Sequence, residues 1–567
     1  EAQKAIGRAA GAPRTTGWRL VTAGDSQDMR RRTNTGVPPL FCSDFTLLKR
    51  STQSTSMTKT FRAIAVALLA PAALSAQQAG LEEAVATITQ DDYAYRIGVI
   101  AHDSMQGRDT PSPGLSKTAE WAASEFRRMG LRGGVEDGGF IQRYPLRSVT
   151  VDAEASGMDV GGARLSFGED LLPLFGASAE GEATGRLALV SGSLGMDGAF
   201  AGNALAGAHV VWVLSADAQG IDRSMFETLG QMREAGALSV IITNSTEDER
   251  WASNARRSMG SGVQKGWGGE NGGGSDAFEP LLQVRTQSLQ EVLREHGVNM
   301  IPLQARAEGD VEILVVEDLQ VTVSQSMRSE MIDAPNVVAV LEGSDPELKN
   351  EYVVFSGHMD HVGMGAPDAN GDSIFNGADD DASGTVAVIE VAEAMASLPV
   401  APKRSTLFIL VSGEEKGLWG SEWFAENPTV PIESMVADLN TDMVGRNWTD
   451  TIVAIGKEHS DLGETLNRVN GDHPELRMTA IDDVWPEERF YFRSDHYNFA
   501  RKGVPVLFFF NGTHDDYHGR DDEPDRIDTE KAARIARLVF YLGVDIANAA
   551  ERPKWNPESY SRIVSDR

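Results

Sequence analysis

The stretch EYVVFSGHMDHVG, residues 351–363, decides how this chain folds. A short apolar run, Tyr352–Phe355, ends in a glycine and is followed at once by His358, Asp360 and His361. Apolar runs of this length bounded by turn residues read as buried strands. The pattern recurs as NVVAVLEG from Asn336, STLFILVSG from Ser405, MVADLNTDM from Met435, TIVAIG from Thr451 and VPVLFFFNG from Val504. Helical periods lie between the runs. Val388, Val391, Ala392 and Met395 share one face of a helix expected over 383–398, and Ile535, Leu538, Val539 and Leu542 share one face of another over 529–549. Near the N-terminal side, Ala119, Ala122, Ala123 and Phe126 do the same in a helix ending at Gly130. Buried strands alternating with helices predict an α/β fold, with a mixed, mostly parallel central sheet flanked by helices.

Ligands of open α/β sheets gather beyond the carboxyl ends of the strands. The residues just beyond each run are therefore informative. His358 and Asp360 succeed the first; GADDDASG, with Asp379, Asp380 and Asp381, opens the next helix; Glu414 and Glu415 come after STLFILVSG; Asp442 comes after MVADLNT; His514 and His518 come after VPVLFFFNG. Each motif alone has an ordinary reading as a hydrogen-bonded pair, a solvated turn or a surface ion pair. Five of them at one sheet edge are another matter, because clustered carboxylates beside a core repel one another and resist desolvation. Divalent cations relieve both. Asp380, Glu415 and Asp442 with one hydroxide carry four negative charges, matching two divalent ions, and neutral His358 and His518 complete the set. Nitrogen and oxygen donors without sulfur suit zinc, with cobalt or manganese as possible substitutes. Asp360 stands two residues from His358 and can hold its outer N–H. Adjacent Glu414 and Glu415 would point apart on a strand, giving one ligand and one general base.

These motifs, GHMDH, NGADDDASG, SGEEKGLWGS, LNTDMVG, SDHYNFARKGVP and DYHGRDD, resemble metallopeptidase family 28, the co-catalytic di-zinc aminopeptidases, whose relatives include glutamate carboxypeptidase, glutaminyl cyclase and the transferrin receptor. The resemblance covers roughly 90–150 and 335–550. It implies His358 and Asp442 on one zinc, Glu415 and His518 on the other, Asp380 as the bridge with a cis peptide after it, and Glu414 as the base. It also implies an oxyanion role for Tyr491, four residues before Asp495. His361, His496 and His514 are expected to support the site rather than to ligate. The expected reaction is removal of N-terminal residues from peptides by a metal-activated water. A carboxypeptidase or dipeptidase, glutaminyl cyclase, and a non-catalytic receptor-like protein remain as alternatives.

The region between these motifs reads differently. Residues 151–332 carry short β-like runs (RLALVSG, HVVWVLSA, SVIITN) and a glycine-rich loop, GWGGENGGGSD, without a P-loop ending. MREAGALSVIITN resembles a protease-associated domain, so a β-rich insert is expected between a first catalytic part over 77–150 and a main part over 333–551, with a tail over 552–567.

Composition sets the remaining bounds. The 567 residues hold 52 Lys and Arg against 83 Asp and Glu, a net charge of −31, which disfavours nucleic acid as a partner. Residues 1–76 depart from this, with 11 basic against 4 acidic side chains. Within them, MTKTFRAIAVALLAPAALSAQQ from Met57 has a basic start, an apolar core too short to span a bilayer, and small residues near Ala76. It reads as a secretory signal peptide over 57–76, preceded by an upstream extension over 1–56. Export to the periplasm or outside the cell, with no stable membrane span after signal removal, is the expectation. The single cysteine, Cys42, lies in that leading part, so neither disulfides nor thiolate chemistry are expected in the mature enzyme. Oligomeric state is not legible.

Overall fold

The computed structural model describes residues 78–174, 180–192, 200, 205–215, 223–260, 262–268, 278, 280–305 and 311–564. The upstream extension, the signal-peptide reading and most of the glycine-rich loop lie outside the described residues.

The central sheet is built from β1 (Ile141–Val151), β2 (Gly262–Lys265), β3 (Met327–Leu341), β4 (Tyr352–His358), β5 (Ser405–Val411), β6 (Met435–Thr441), β7 (Thr451–Ile455), β8 (Thr479–Ile481) and β9 (Val506–Phe510). Its order is β8-β7-β9-β6-β4-β5-β3-β1-β2, with a short strand at Arg132–Gly133 also on β3. The four middle strands, β9, β6, β4 and β5, run parallel. The antiparallel strands lie outside them. β5, β6 and β9 are buried along their whole length, and so is β4 beyond Tyr352; both faces are covered, as their unbroken apolar runs require. One face packs against α1 (Gln90–Ile100), α2 (Pro113–Arg128), α3 (Gly384–Ser397) and α4 (Thr529–Asn548). The other packs against the short helices Trp419–Glu426 and His496–Ala500 through Phe424 and Phe499. The architecture is a mixed α/β sheet flanked by helices.

Residues within 151–332 form a second, eight-stranded sheet with its own two apolar layers. It holds parallel strands at Gly181–Ser191, Ala208–Trp212, Ser239–Asn244 and Leu281–Arg285. Helices at Arg223–Glu234, Asp248–Ser258 and Thr286–Glu295, which the strand-like runs did not reveal, accompany them. β1 and β3 pair antiparallel from Ile141↔Val337 to Val151↔Met327. β2, although inside 151–332 in sequence, pairs with β1 and so extends the central sheet. Among the described residues, no helix is long and apolar enough to cross a membrane.

The core under the parallel strands is tight. Phe355 of β4 is fully buried and stacks on Phe408 of β5 with ring centroids 5.3 Å apart. α4 comes so close that a Cβ on Gly543 would stand 2.3 Å from the Phe355 ring. Replacing Phe355 by Ala should therefore cost about 3–5 kcal/mol in chemical denaturation, because the surrounding sheet and helix cannot collapse into the space. A loss under about 1 kcal/mol would show that this layer is not packed as described.

Candidate metal centre

Because β4, β5, β6 and β9 are parallel, their carboxyl ends open on one edge. His358 closes β4, Glu414 and Glu415 lie in the turn after β5, Asp442 comes directly after β6, and the loop after β9 carries His514 and His518. The three consecutive aspartates before α3 have different tasks. Asp379 accepts from the Ser383 hydroxyl (2.9 Å) and the Gly445 amide (2.6 Å). Asp381 accepts from the backbone amides of His358, Gly384 and Met443 at 2.8–3.1 Å, tying the ends of β4 and β6 to the start of α3. Gly384 is needed there, since a Cβ would stand 2.2 Å from the Thr441 carbonyl oxygen. Asp380, between them, turns its carboxylate into the open edge. The Asp380–Asp381 peptide is cis.

Asp380 faces two donor groups. Its Oδ1 is 3.3 Å from His358 Nε2, which is in turn 3.7 Å from Asp442 Oδ1. Its Oδ2 is 3.1 Å from His518 Nε2, itself 3.1 Å from Glu415 Oε2. His361 joins the second group, with Nδ1 2.9 Å from Glu415 Oε1 and 3.6 Å from Asp380 Oδ2. Donors about 2.0–2.1 Å from one tetrahedral zinc lie about 3.3 Å apart, the range of these separations. Asp442 Oδ1, Glu415 Oε1 and both His361 ring nitrogens are buried without a hydrogen-bond partner. Buried polar atoms left unpaired in this way are costly unless something they share satisfies them. The residues fit divalent metal.

The charges are already matched to a cation. Burial opposes a charge on His358, yet Asp442, Asp360 and Asp380 hold its proton affinity well above the ordinary histidine value. Burial likewise opposes His518, but Asp380 and Glu415 raise it to about 10. In the metal-free protein protons thus stand in for metal.

Supporting contacts fix this geometry. His358 Nδ1 lies 3.3 Å from the backbone carbonyl of Asp360 and 3.6 Å from its carboxylate, so the main chain is the nearer partner. The Asp360 carboxylate accepts from the Thr110 hydroxyl at 3.0 Å and the Glu414 amide at 3.3 Å. Ser494 donates to Asp442 at 2.9 Å. Asp522 accepts from the amides of Asp379 and Asp380. Arg108, fully buried, donates to the carbonyls of Ile100, Met359, Asn376 and Gly377, which pins the segment after His358 to the one before Asp380.

Beside the donors is a small open pocket. His358, Asp380, Asp442 and Glu414 line its floor, and Met443, Phe490, Phe508 and Phe510 give it an apolar wall. Arg493 and Tyr517 also face it. Tyr491, expected at this position, does not line it. Its ring stands edge-on to His459 at 4.5 Å and to His496 at 5.3 Å, and its hydroxyl is buried without a partner. The tyrosine at the cavity is Tyr517, stacked on the His518 ring at 4.0 Å. DYH places Tyr517 directly before a proposed ligand, which was the available signal; Arg108 and Asp522 act through long-range contacts and carried none.

Two donor groups thus share Asp380 at the carboxyl edge of a parallel sheet, with Glu414 beside them. Residues 336–543 match the profile described as "Peptidase family M28". A probable zinc metalloprotease of Pyricularia oryzae is 28% identical over 292 residues, which are 43% of this chain and 56% of that one. A probable leucine aminopeptidase of Arthroderma benhamiae is 27% identical over 259 residues, 41% of this chain and 66% of that one. The chain spans about half the length of the curated relatives it matches. Among solved structures, an aminopeptidase from Aneurinibacillus sp. strain AM-1 is similar with a TM-score of 0.47 and 19% identity, covering 82% of this chain and 95% of that one.

Metal uptake should release protons. With both imidazoles held protonated in the metal-free protein, their contribution is fully present below about pH 6.5 and is lost as pH rises through about 10 for His518. Zinc must displace those protons, so its apparent affinity should rise with pH between about 6 and 9. Calorimetric titration in two buffers of different protonation heat measures the release. Buffer-independent heats would contradict the charge arrangement.

Proposed function

We propose that this chain is an exported zinc-dependent exopeptidase that removes N-terminal residues from peptides, with two zinc ions per chain. The observation that carries the proposal is Asp380, one carboxylate oxygen turned to each donor group. His358 and Asp442 would hold one ion and Glu415 and His518 the other, with cobalt or manganese able to substitute. Bound there, the ions would acidify a shared water and polarise the scissile carbonyl.

Glu414 lines the same cavity and is free of both donor groups. Burial and the neighbouring Asp495, Asp442 and Glu415 carboxylates raise its carboxyl well above the ordinary range, against the pull of His358. A carboxylate of raised proton affinity is a better acceptor for a proton from water and can pass it to the leaving amine. Asp360 positions it through the Glu414 amide. Tyr517 lines the cavity and is the candidate donor to the developing oxyanion. The apolar wall favours an apolar side chain next to the cleaved bond. The eight-stranded body over 151–332 is proposed as a protease-associated insert that shapes access.

Arg493 at the cavity supports one competing reading, capture of a substrate carboxylate by a carboxypeptidase or dipeptidase. Donors on both sides of Asp380 weigh against the single-zinc cyclase, and the complete donor set weighs against a receptor-like protein.

Free leucyl and phenylalanyl peptides should be cut and their N-acetylated forms spared. Cleavage of the acetylated forms from their carboxyl ends would establish the Arg493 reading instead. Glu414→Gln should lower kcat about 10²–10⁴-fold with zinc content unchanged, and Tyr517→Phe should lower kcat about 10²-fold. Normal turnover in the first variant would remove Glu414 as the base.

A further inference from the structure

His361 lies three residues beyond His358 and is fully buried. Three observations set it apart from a packed core histidine. First, its Nδ1 is 2.9 Å from Glu415 Oε1, yet neither atom has a well-aligned hydrogen-bond partner. Donor and acceptor that approach without aligning are aimed at a common point rather than at each other. Second, His361, Asp380, Glu415 and His518 each offer an atom within 4.8 Å of all the others, so one ion can reach all four. Third, the fold makes room for this ring. Gly377 sits at φ +57°, and a Cβ there would stand 2.5 Å from the imidazole. The His361 ring also meets the His518 ring edge-on at 5.5 Å, as two imidazoles on one centre can.

Resting on the di-metal reading above, we propose that His361 is a direct ligand, through Nδ1, of the metal held by Glu415 and His518. The two sites are then unequal. One has four protein donors, His361, Asp380, Glu415 and His518; the other has three, His358, Asp380 and Asp442. Added imidazole strengthens a nitrogen-and-oxygen site for zinc. The four-donor site retains its ion, while the three-donor site, which lines the cavity with Glu414, exchanges its ion more readily and keeps a position open.

The experiment compares the zinc-loaded wild type with His361→Phe, which keeps a ring, and His361→Gln, which can hydrogen-bond to Glu415 but is a poor zinc ligand. Chelator competition should give two separated zinc affinities in the wild type. In both variants the tighter one should fall about tenfold or more, beyond the low end of what loss of a supporting partner costs, while the weaker one stays put. Zinc-edge X-ray absorption should show three imidazoles shared by two ions in the wild type and two in the variants. Cobalt substitution should change the absorption of one ion only. If Gln restores the tighter affinity, or if imidazole scattering and cobalt spectra match the wild type, His361 only props Glu415 and the proposal falls. Should Phe fail to fold, Gln decides alone. Absence of zinc binding by the wild type would instead overturn the di-metal reading itself.

Discussion

Carboxylates in a buried corner must each find hydrogen atoms or a cation, and this requirement organises the whole catalytic edge. Asp379, Asp381, Asp360 and Asp522 find hydrogen atoms, from backbone amides and hydroxyls, and so become struts. Asp380, Glu415 and Asp442 turn oxygens toward imidazoles across a shared space. Like charges this close would otherwise drive one another to protonate or part. A pair of divalent ions, as proposed, would relieve the conflict.

The sheet explains why such a cluster can be assembled at all. Four adjacent parallel strands deliver four chain segments to one edge, and the turn into α3 delivers the fifth. Antiparallel neighbours would have sent half of them to the opposite end. The register is then locked from beneath: Asp381 joins β4, β6 and α3, and Arg108 spans the carbonyls on either side of the His358 and Asp380 segments. Burying an arginine is expensive unless its donors are used, and here each of its side-chain nitrogens meets a carbonyl.

Much of this is legible in the sequence because the signal is local. Unbroken apolar runs specify buried strands, and the residues just past the end of a parallel strand stand at the ligand edge, so position brings His358, Glu414, Glu415, Asp442 and the His514–His518 loop into view, while the resemblance singles out Asp380 and His518. Three kinds of information are not local. Which of two tyrosines reaches the cavity depends on loop packing, and Tyr491 is turned toward His459 while Tyr517 stays at the opening. Whether a histidine beside a ligand supports or ligates depends on angles, and His361 reads as support in the sequence although its nitrogen faces Glu415. The helices of the insert, finally, are short and rich in polar residues, and only its strands are read from the sequence.

The central claim is that Asp380 joins two metals. Zinc-edge anomalous diffraction from zinc-loaded crystals measures it most directly. Two peaks should flank the Asp380 carboxylate about 3.5–4 Å apart, one beside His358 and Asp442 and the other beside Glu415 and His518. A single peak, or a pair that leaves Asp380 out, would contradict it.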